Sequence, residues 1–280
     1  MLIVDRGRFP GSDPAGPDRR DLAVGPAGWT LRFDNPDGDW IAYEYCTRDR
    51  CLLVSASLPW EICAGPLAGV VLGLLLGREG RTLLHGACLE LGGRAFALLG
   101  ASGHGKSTLA AALVREGASL LTEDLLVLGR TPAAWIVEPG APSLHLLEDS
   151  YAALGPDPPV AAPGVREGKF ALAMPAGAGP ADGQAPLAAV YILDPPAAGL
   201  SAHITSLTGR RALLGVLDHL YGAAWIRSRD GTDLRFCADL VAHVPVHSLS
   251  RPWRLDQVGE TAAMLRRHAS GLPTPRVPES

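Results

Sequence analysis

Apolar and polar positions alternate along the first sixty residues in short runs. "WTLRFDN" (29–35), "WIAYEYC" (40–46) and "CLLVSAS" (51–57) carry β-branched and aromatic side chains, and "NPDGD" separates the first two. Runs of this length bounded by turn residues predict strands. Residues 1–60 are therefore expected to form a small antiparallel β lobe, with 8–27, rich in Gly, Pro and Asp, as loop. The pattern then lengthens. The uncharged stretch "ICAGPLAGVVLGLLLG" (62–77) predicts a helix over 65–77 that starts near Pro66 and stops at Gly77. It is shorter than the ~20 apolar residues a bilayer crossing needs, so no membrane partner is expected.

From residue 83 the pattern becomes strand, loop, helix, strand. "LLHGACLEL" (83–91) and "RAFALLG" (94–100) predict two strands around a glycine turn. A helix is expected over about 106–116, ended by Gly117, and then "ASLLTEDLLVL" (118–128) as strand interrupted by two acids. Further strands are predicted at 134–139, 143–147, 169–174 and 187–194, and helices at 209–221, 233–243 and 254–269. This order predicts an α/β domain over 61–270. The Pro/Gly/Ala-rich segments 155–168 and 175–186 read as surface loops, and 271–280 as a loose tail. No internal repeat is present.

Composition narrows the partners. A formal charge of −4 with no basic tract gives no electrostatic case for nucleic acid. Five cysteines in 280 residues do not make a disulfide framework. Cys46 and Cys51 lack the second pair or the histidines that would complete a zinc site. The N-terminus has no basic region followed by an apolar one, so a cytoplasmic location is expected. Nothing in the pattern decides oligomeric state, and a homo-oligomer stays open.

The segment "GASGHGKS" (100–107) fits G-x-x-x-x-G-K-[ST], directly after an apolar strand and at the opening of a helix. Glycines at 100, 103 and 105 let the backbone turn until successive N–H groups point inward as a nest for phosphate oxygens. The helix start adds its own free N–H groups and partial positive charge. Nucleotide contacts are expected from Gly100, Ala101, Ser102, Gly103, His104, Gly105, Lys106, Ser107 and Thr108. Lys106 would reach the β and γ phosphates and Ser107 would ligate Mg²⁺. His104 is expected to point outward. Glu123 and Asp124, at the end of the strand after the helix, are expected to face the triphosphate. This expectation assumes that neighbouring strands run parallel to the loop strand. One acid would hold the metal, and the other would take a proton from an acceptor hydroxyl. Lys169 is expected as a solvated strand end, Arg210 and Arg211 as a solvent-facing pair, and Arg251 and Arg254 around Trp253 as surface residues.

His85-Gly86, the GKS loop and the pair Glu123-Asp124, with 21 residues from His85 to Lys106 and 17 from Lys106 to Glu123, resemble the HPr kinase/phosphorylase family and its relatives. The resemblance covers 83–128. Further on, "PLAAVYILD" and "VPVHSLSRP" resemble blocks of smaller HPr-kinase-like proteins found with peptide natural-product clusters, including lasso peptides. It implies a P-loop, HPr-kinase-like (PEP carboxykinase-like) core sheet with flanking helices. It also implies ATP and Mg²⁺ as cofactors, Asp124 as base on an incoming serine hydroxyl, Glu123 assisting the metal, and His85 beside the γ-phosphate supporting the acids. Two departures stand out. The first acid is Glu rather than Asp. The family's later glycine-rich block is missing: "VEPGAPSLHL" lies there, and only its Glu138 offers an acid. Neither reverse phosphorylase activity nor recognition of HPr itself is therefore expected. The leading expectation is a kinase acting on Ser/Thr of a peptide or small protein, a biosynthetic precursor peptide being the first acceptor to test. A small-molecule kinase and a non-catalytic nucleotide-binding switch are the alternatives.

Overall fold

The structure is a computed structural model that describes residues 20–140, 143–154, 169–173, 185–195, 197, 199–222 and 231–273. The predicted loop 155–168, most of 175–186 and most of the tail lie outside the described residues, as do residues 1–19.

Strands β1 (Arg20–Gly25), β2 (Gly28–Asp34), β3 (Trp40–Cys46) and β4 (Cys51–Ala56) form a four-stranded antiparallel sheet in sequence order. Trp29, Leu31, Ile41, Tyr43, Leu52 and Val54 are buried. Three of these strands match the alternating runs. The fourth, β1, lies in a stretch read as loop. It is an edge strand whose Ala23 and Val24 stay exposed, so no apolar alternation marks it. The Tyr43 hydroxyl donates to the Cys63 carbonyl at 2.6 Å, tying α1 (Trp60–Pro66) to this sheet. Burial pushes the Tyr43 phenol well above its usual range.

The helical run is longer than 65–77 and is not regular. After α1 it passes through a π turn, Leu67–Val71, into α2 (Leu72–Arg78). Pro66 sits inside the run instead of opening it. It has no N–H to donate, and the ladder widens just beyond it, with the Leu72 N–H reaching back to the Leu67 carbonyl. The two compact units divide between Leu72 and Gly73, within this helical run, rather than near residue 60.

The second unit runs β5 (Leu83–Leu91), β6 (Arg94–Leu99), α3 (Lys106–Arg115), β7 (Ser119–Thr122), β8 (Leu125–Arg130), β9 (Trp135–Glu138), β10 (Ser143–Leu147), α4 (Glu148–Leu154) and β11 (Lys169–Ala173). It continues with β12 (Ala185–Leu193), β13 (His203–Leu207), α5 (Gly209–Leu217), α6 (Thr232–His243), β14 (Val246–Ser250) and α7 (Val258–Ser270). Its main sheet is mixed, in the order β13-β14-β12-β6-β5-β8-β9, with β7 beside β5. The apolar run of β6 is explained by cover on both faces. Phe96 and Leu98 pack under α3 and α7 with Leu109, Leu113 and Leu265. Ala97 and Leu99 pack on the other face with Val216, Leu220 and Leu240 from the α5–α6 side.

Strand direction bears on the site. Strands β6, β12 and β14 are parallel; β5 runs antiparallel to β6 and β7 antiparallel to β5. Strand β7 therefore runs the same way as β6 and ends, as expected, on the side of the loop, while β5 runs the other way. The two-residue turn Gly92-Gly93, with φ of 61° and 78°, makes β5–β6 a hairpin, and a connection that short can only join antiparallel strands. His85 still meets the loop, through register: Gly86 stands opposite Leu99, the last residue before the glycines.

Candidate phosphate-binding site

The loop leaves β6 at Leu99 and enters α3 at Lys106. Gly103 and Gly105 have φ of 80° and 74°, a region that side chains rarely adopt. Gly100 sits in a tight place for a different reason. A Cβ there would lie 3.1 Å from Cβ of Leu193 at the end of β12. Gly105 is the N-cap of α3 and, having no side chain, offers no cap, so a bound anion could take the free N–H groups of the first turn. Lys106 is buried. Its ammonium donates to the carbonyls of Gly100 at 2.7 Å and Ala101 at 3.1 Å, which holds it across the start of the loop. Ser107 is the next residue of α3, and the Thr108 hydroxyl pairs with that of Ser150 in α4 at 2.9 Å.

The acid pair divides. Asp124 has φ of 65°, and this left-handed residue turns the chain sharply between β7 and β8. Its carbonyl accepts the Gly86 N–H at 3.3 Å and lies 3.0 Å from His85 Nδ1. Asp124 itself is exposed. Glu123 goes the other way. Its Oε2 accepts the backbone N–H of His145 in β10 at 2.7 Å and sits 3.1 Å from the His145 ring, with 6% of the side chain exposed. The expectation that both carboxylates face the triphosphate is thus corrected. The reversed backbone at Asp124 sends consecutive side chains apart, and Glu123 is committed to anchoring β10.

Burial, with Lys106 nearby, lowers the His85 pKa, against an opposing effect from Asp124. The ring is then neutral at pH 7. With Nδ1–H donated to the Asp124 carbonyl, Nε2 remains an acceptor. His219, after α5, is also pushed toward neutrality, chiefly by burial, while its Nδ1 lies 2.7 Å from the Gly215 carbonyl.

Sequence reading missed the opposite side of the loop. His104 does not point outward. It is half-buried, with Nδ1 3.5 Å from the Leu193 carbonyl. Arg251, expected at the surface, is 7% exposed. Its Nη1 donates to the Asp194 carbonyl at 3.1 Å, while Nη2 is buried without a hydrogen-bond partner. The Asp194 carboxylate accepts from the Ser250 hydroxyl at 2.5 Å. Asp194 and Arg251 follow β12 and β14, so the parallel strands beside β6 deliver both to the loop end of the sheet. A charged residue just after the apolar strand β12 was the available signal for Asp194, while β14, with polar residues interleaved, gave none for Arg251. Arg254 does lie at the surface, paired with Asp256 at 2.5 Å, and Arg210 and Arg211 are exposed.

A cavity of about 530 Å³ opens beside the start of the loop, lined by Ala101, His85, His104, Asp194, His219 and Tyr221 among others. Among the described residues no group of three or more His, Cys, Asp or Glu is arranged to hold a metal by itself. Cys46 and Cys51 are facing residues of the β3–β4 hairpin. No helix among the described residues is long and apolar enough to cross a membrane.

No family model matches the chain, and no curated protein matches it. Among solved structures it is similar to the Hpr(Ser) kinase/phosphatase from Coxiella burnetii at 15% identity with a TM-score of 0.33, a match covering 66% of this chain and 95% of that one. The functional reading draws instead on the loop and its neighbours.

Proposed function

We propose that this chain is an ATP- and Mg²⁺-dependent phosphotransferase that moves the terminal phosphoryl group to a serine or threonine hydroxyl of a peptide or small protein. One observation carries the reading. The glycine loop ends in an uncapped helix N-terminus with Lys106 buried across its mouth, and the Asp124 backbone carbonyl is held by His85 and Gly86, the latter paired with Leu99 just before the loop. Phosphoryl transfer needs mainly positioning and charge neutralisation, which such a loop supplies.

Each residue has a defined task. The loop amides and Lys106 hold the phosphates. Asp124 accepts the proton as the acceptor O–H breaks, a new O–P bond forms, and the bond to the departing nucleoside diphosphate opens. His85, neutral and fixed through Nδ1, orients the turn that carries Asp124. Magnesium would be held by the Ser107 hydroxyl and the Asp124 carboxylate together with phosphate oxygens and water, since this ion commonly takes few protein donors. Bound there, it neutralises charge on the transferring group. The likeness of "PLAAVYILD" and "VPVHSLSRP" to kinases of peptide natural-product clusters makes a lasso-type precursor peptide the first acceptor to test.

The cavity supports a second reading. Its volume lies within the range of small-molecule sites, so a metabolite hydroxyl is the alternative acceptor. Transfer from labelled ATP to serine-bearing peptides and to small polyols, with wild type and Asp124→Asn, decides between them. Phosphopeptide formation lost in Asp124→Asn supports the first reading. Labelled polyol alone supports the second. Tight ATP binding without transfer to any hydroxyl overturns both and leaves a nucleotide-operated switch.

A further inference from the structure

Arg251 stands out because its position has a cost that the described residues offset only in part. The residue is more than nine-tenths buried, Nη1 is used on a backbone carbonyl, and Nη2 is buried with no hydrogen-bond partner among the described residues. An unsatisfied buried donor on a charged group is expensive, and native proteins rarely keep one without a use. The neighbouring Asp194 carboxylate offsets the cost only in part and does not bond Nη2. Asp194 offers Arg251 its carbonyl, while its side chain is bonded to Ser250. Burial accordingly pulls the arginine down to about 10, still charged at neutral pH.

The direction of Nη2 gives the use. A Cβ placed on Gly105 would lie 3.5 Å from it. The orphaned N–H group therefore sits beside the N-cap of α3, where the helix offers its own unbonded amides. The Lys106 ammonium lies at the other end of the loop, held at Gly100 and Ala101. Two cations thus approach the loop from opposite ends.

We infer that Arg251 is a phosphate-binding residue, its Nη2 donating to an oxygen of the diphosphate portion of the nucleotide at the α3 end of the loop. The inference rests on the nucleotide reading above and adds a division of labour to it. Loop amides of this kind cradle the α and β phosphates while the lysine reaches the β and γ. Arg251 then serves the part that substrate and product share, and Lys106 the part that is transferred. The Arg251 fork, with one N–H fixed on the protein and one free for the anion, is pre-organised in a way a lysine cannot copy.

The test is calorimetric titration of the full chain with Mg·ATP, Mg·ADP and inorganic pyrophosphate, using wild type, Arg251→Met, Arg251→Lys and Lys106→Ala. Arg251→Met is expected to weaken all three ligands by a similar factor of about 10–100. Lys106→Ala should weaken ATP more than ADP. Arg251→Lys should retain the fold, with an unchanged melting temperature without ligand, and still bind ADP at least about fivefold more weakly than wild type. Should Arg251→Met fail to fold, Arg251→Lys decides alone: a smaller loss for ADP overturns the inference. Wild type that binds ATP while Arg251→Lys matches it overturns the arginine's role and leaves the loop's intact. Wild type that binds none of the three overturns the nucleotide reading itself.

Discussion

Two walls flank the glycine loop, and they are built by different means. On one side β5 and the β7–β8 turn bring His85, Glu123 and Asp124, all within forty positions in the chain and joined by a hairpin and tight turns. On the other side β12 and β14 bring Asp194 and Arg251, which meet only because distant strands pair in parallel. The first wall supplies neutral and acidic groups suited to moving a proton. The second supplies a cation suited to holding charge. A site for phosphoryl transfer needs both, and only the wall built locally has a motif that a linear pattern can reveal.

The largest effect expected from breaking this arrangement is at the loop itself. Lys106→Ala should lower transfer by about 10³-fold or more and weaken ATP binding, as read by labelled-ATP transfer and titration. Retained transfer would remove the lysine from the reaction. Asp124→Asn comes next: transfer should fall by about 10²–10⁴ while affinity for metal-free ATP changes little, since the residue is assigned to the proton and the metal and not to the phosphates themselves. An equal loss in both would assign it to binding instead.

Glu123 sharpens the contrast within a single wall. Glu123→Gln should cost about 1–2 kcal/mol of stability by weakening the bonds to His145, seen as a lower urea midpoint, with transfer nearly intact. A collapse of transfer in the stable, folded variant would return Glu123 to the metal. Adjacent acids with such unequal outcomes could not be told apart in sequence. Their divergence comes from the left-handed backbone at Asp124, a conformation Asp adopts more readily than most residues but one that the turn between β7 and β8 has to impose.

The smallest effect concerns the strand that carries Arg251. His247 in β14 stacks on Tyr191 with ring centroids 5.3 Å apart and stands 4.7 Å from His268 of α7. Ser206 lies 3.3 Å from its Nδ1, and its Nε2 is buried without a partner. Burial lowers the pKa of both histidines below the usual 6.5, and for His247 the nearby His268 adds to it. As pH falls below 6.5 the unfolded chain takes up protons first, so stability present above that value declines until the lowered folded values are passed. Urea midpoints should therefore fall on acidification, and His247→Phe should flatten the slope. An unchanged slope would assign it to His85 and His219, whose pKa values burial also lowers.

Much of this was readable in one dimension. Three strands of the β lobe, the β5–β6 hairpin and α3 follow from periodicity and turn chemistry, because their apolar positions have nearby partners. The exposed edge strand β1 buries too little to leave a pattern, and β14 interleaves polar residues that only its neighbours make buried. Pro66 looked like a helix start because a proline inside a helix is tolerated only where the ladder widens, as it does at the π turn.

Spacing and residue type alone determined the glycine turn that opens α3, the candidate cradle, since a nest of amides needs glycines at fixed offsets and a helix immediately after them. Packing decided everything that surrounds the cradle. Strand direction, the parting of Glu123 from Asp124 and the burial of Arg251 depend on contacts between segments far apart in the chain. The energy of a charge buried beside such contacts exists only once the sheet has formed.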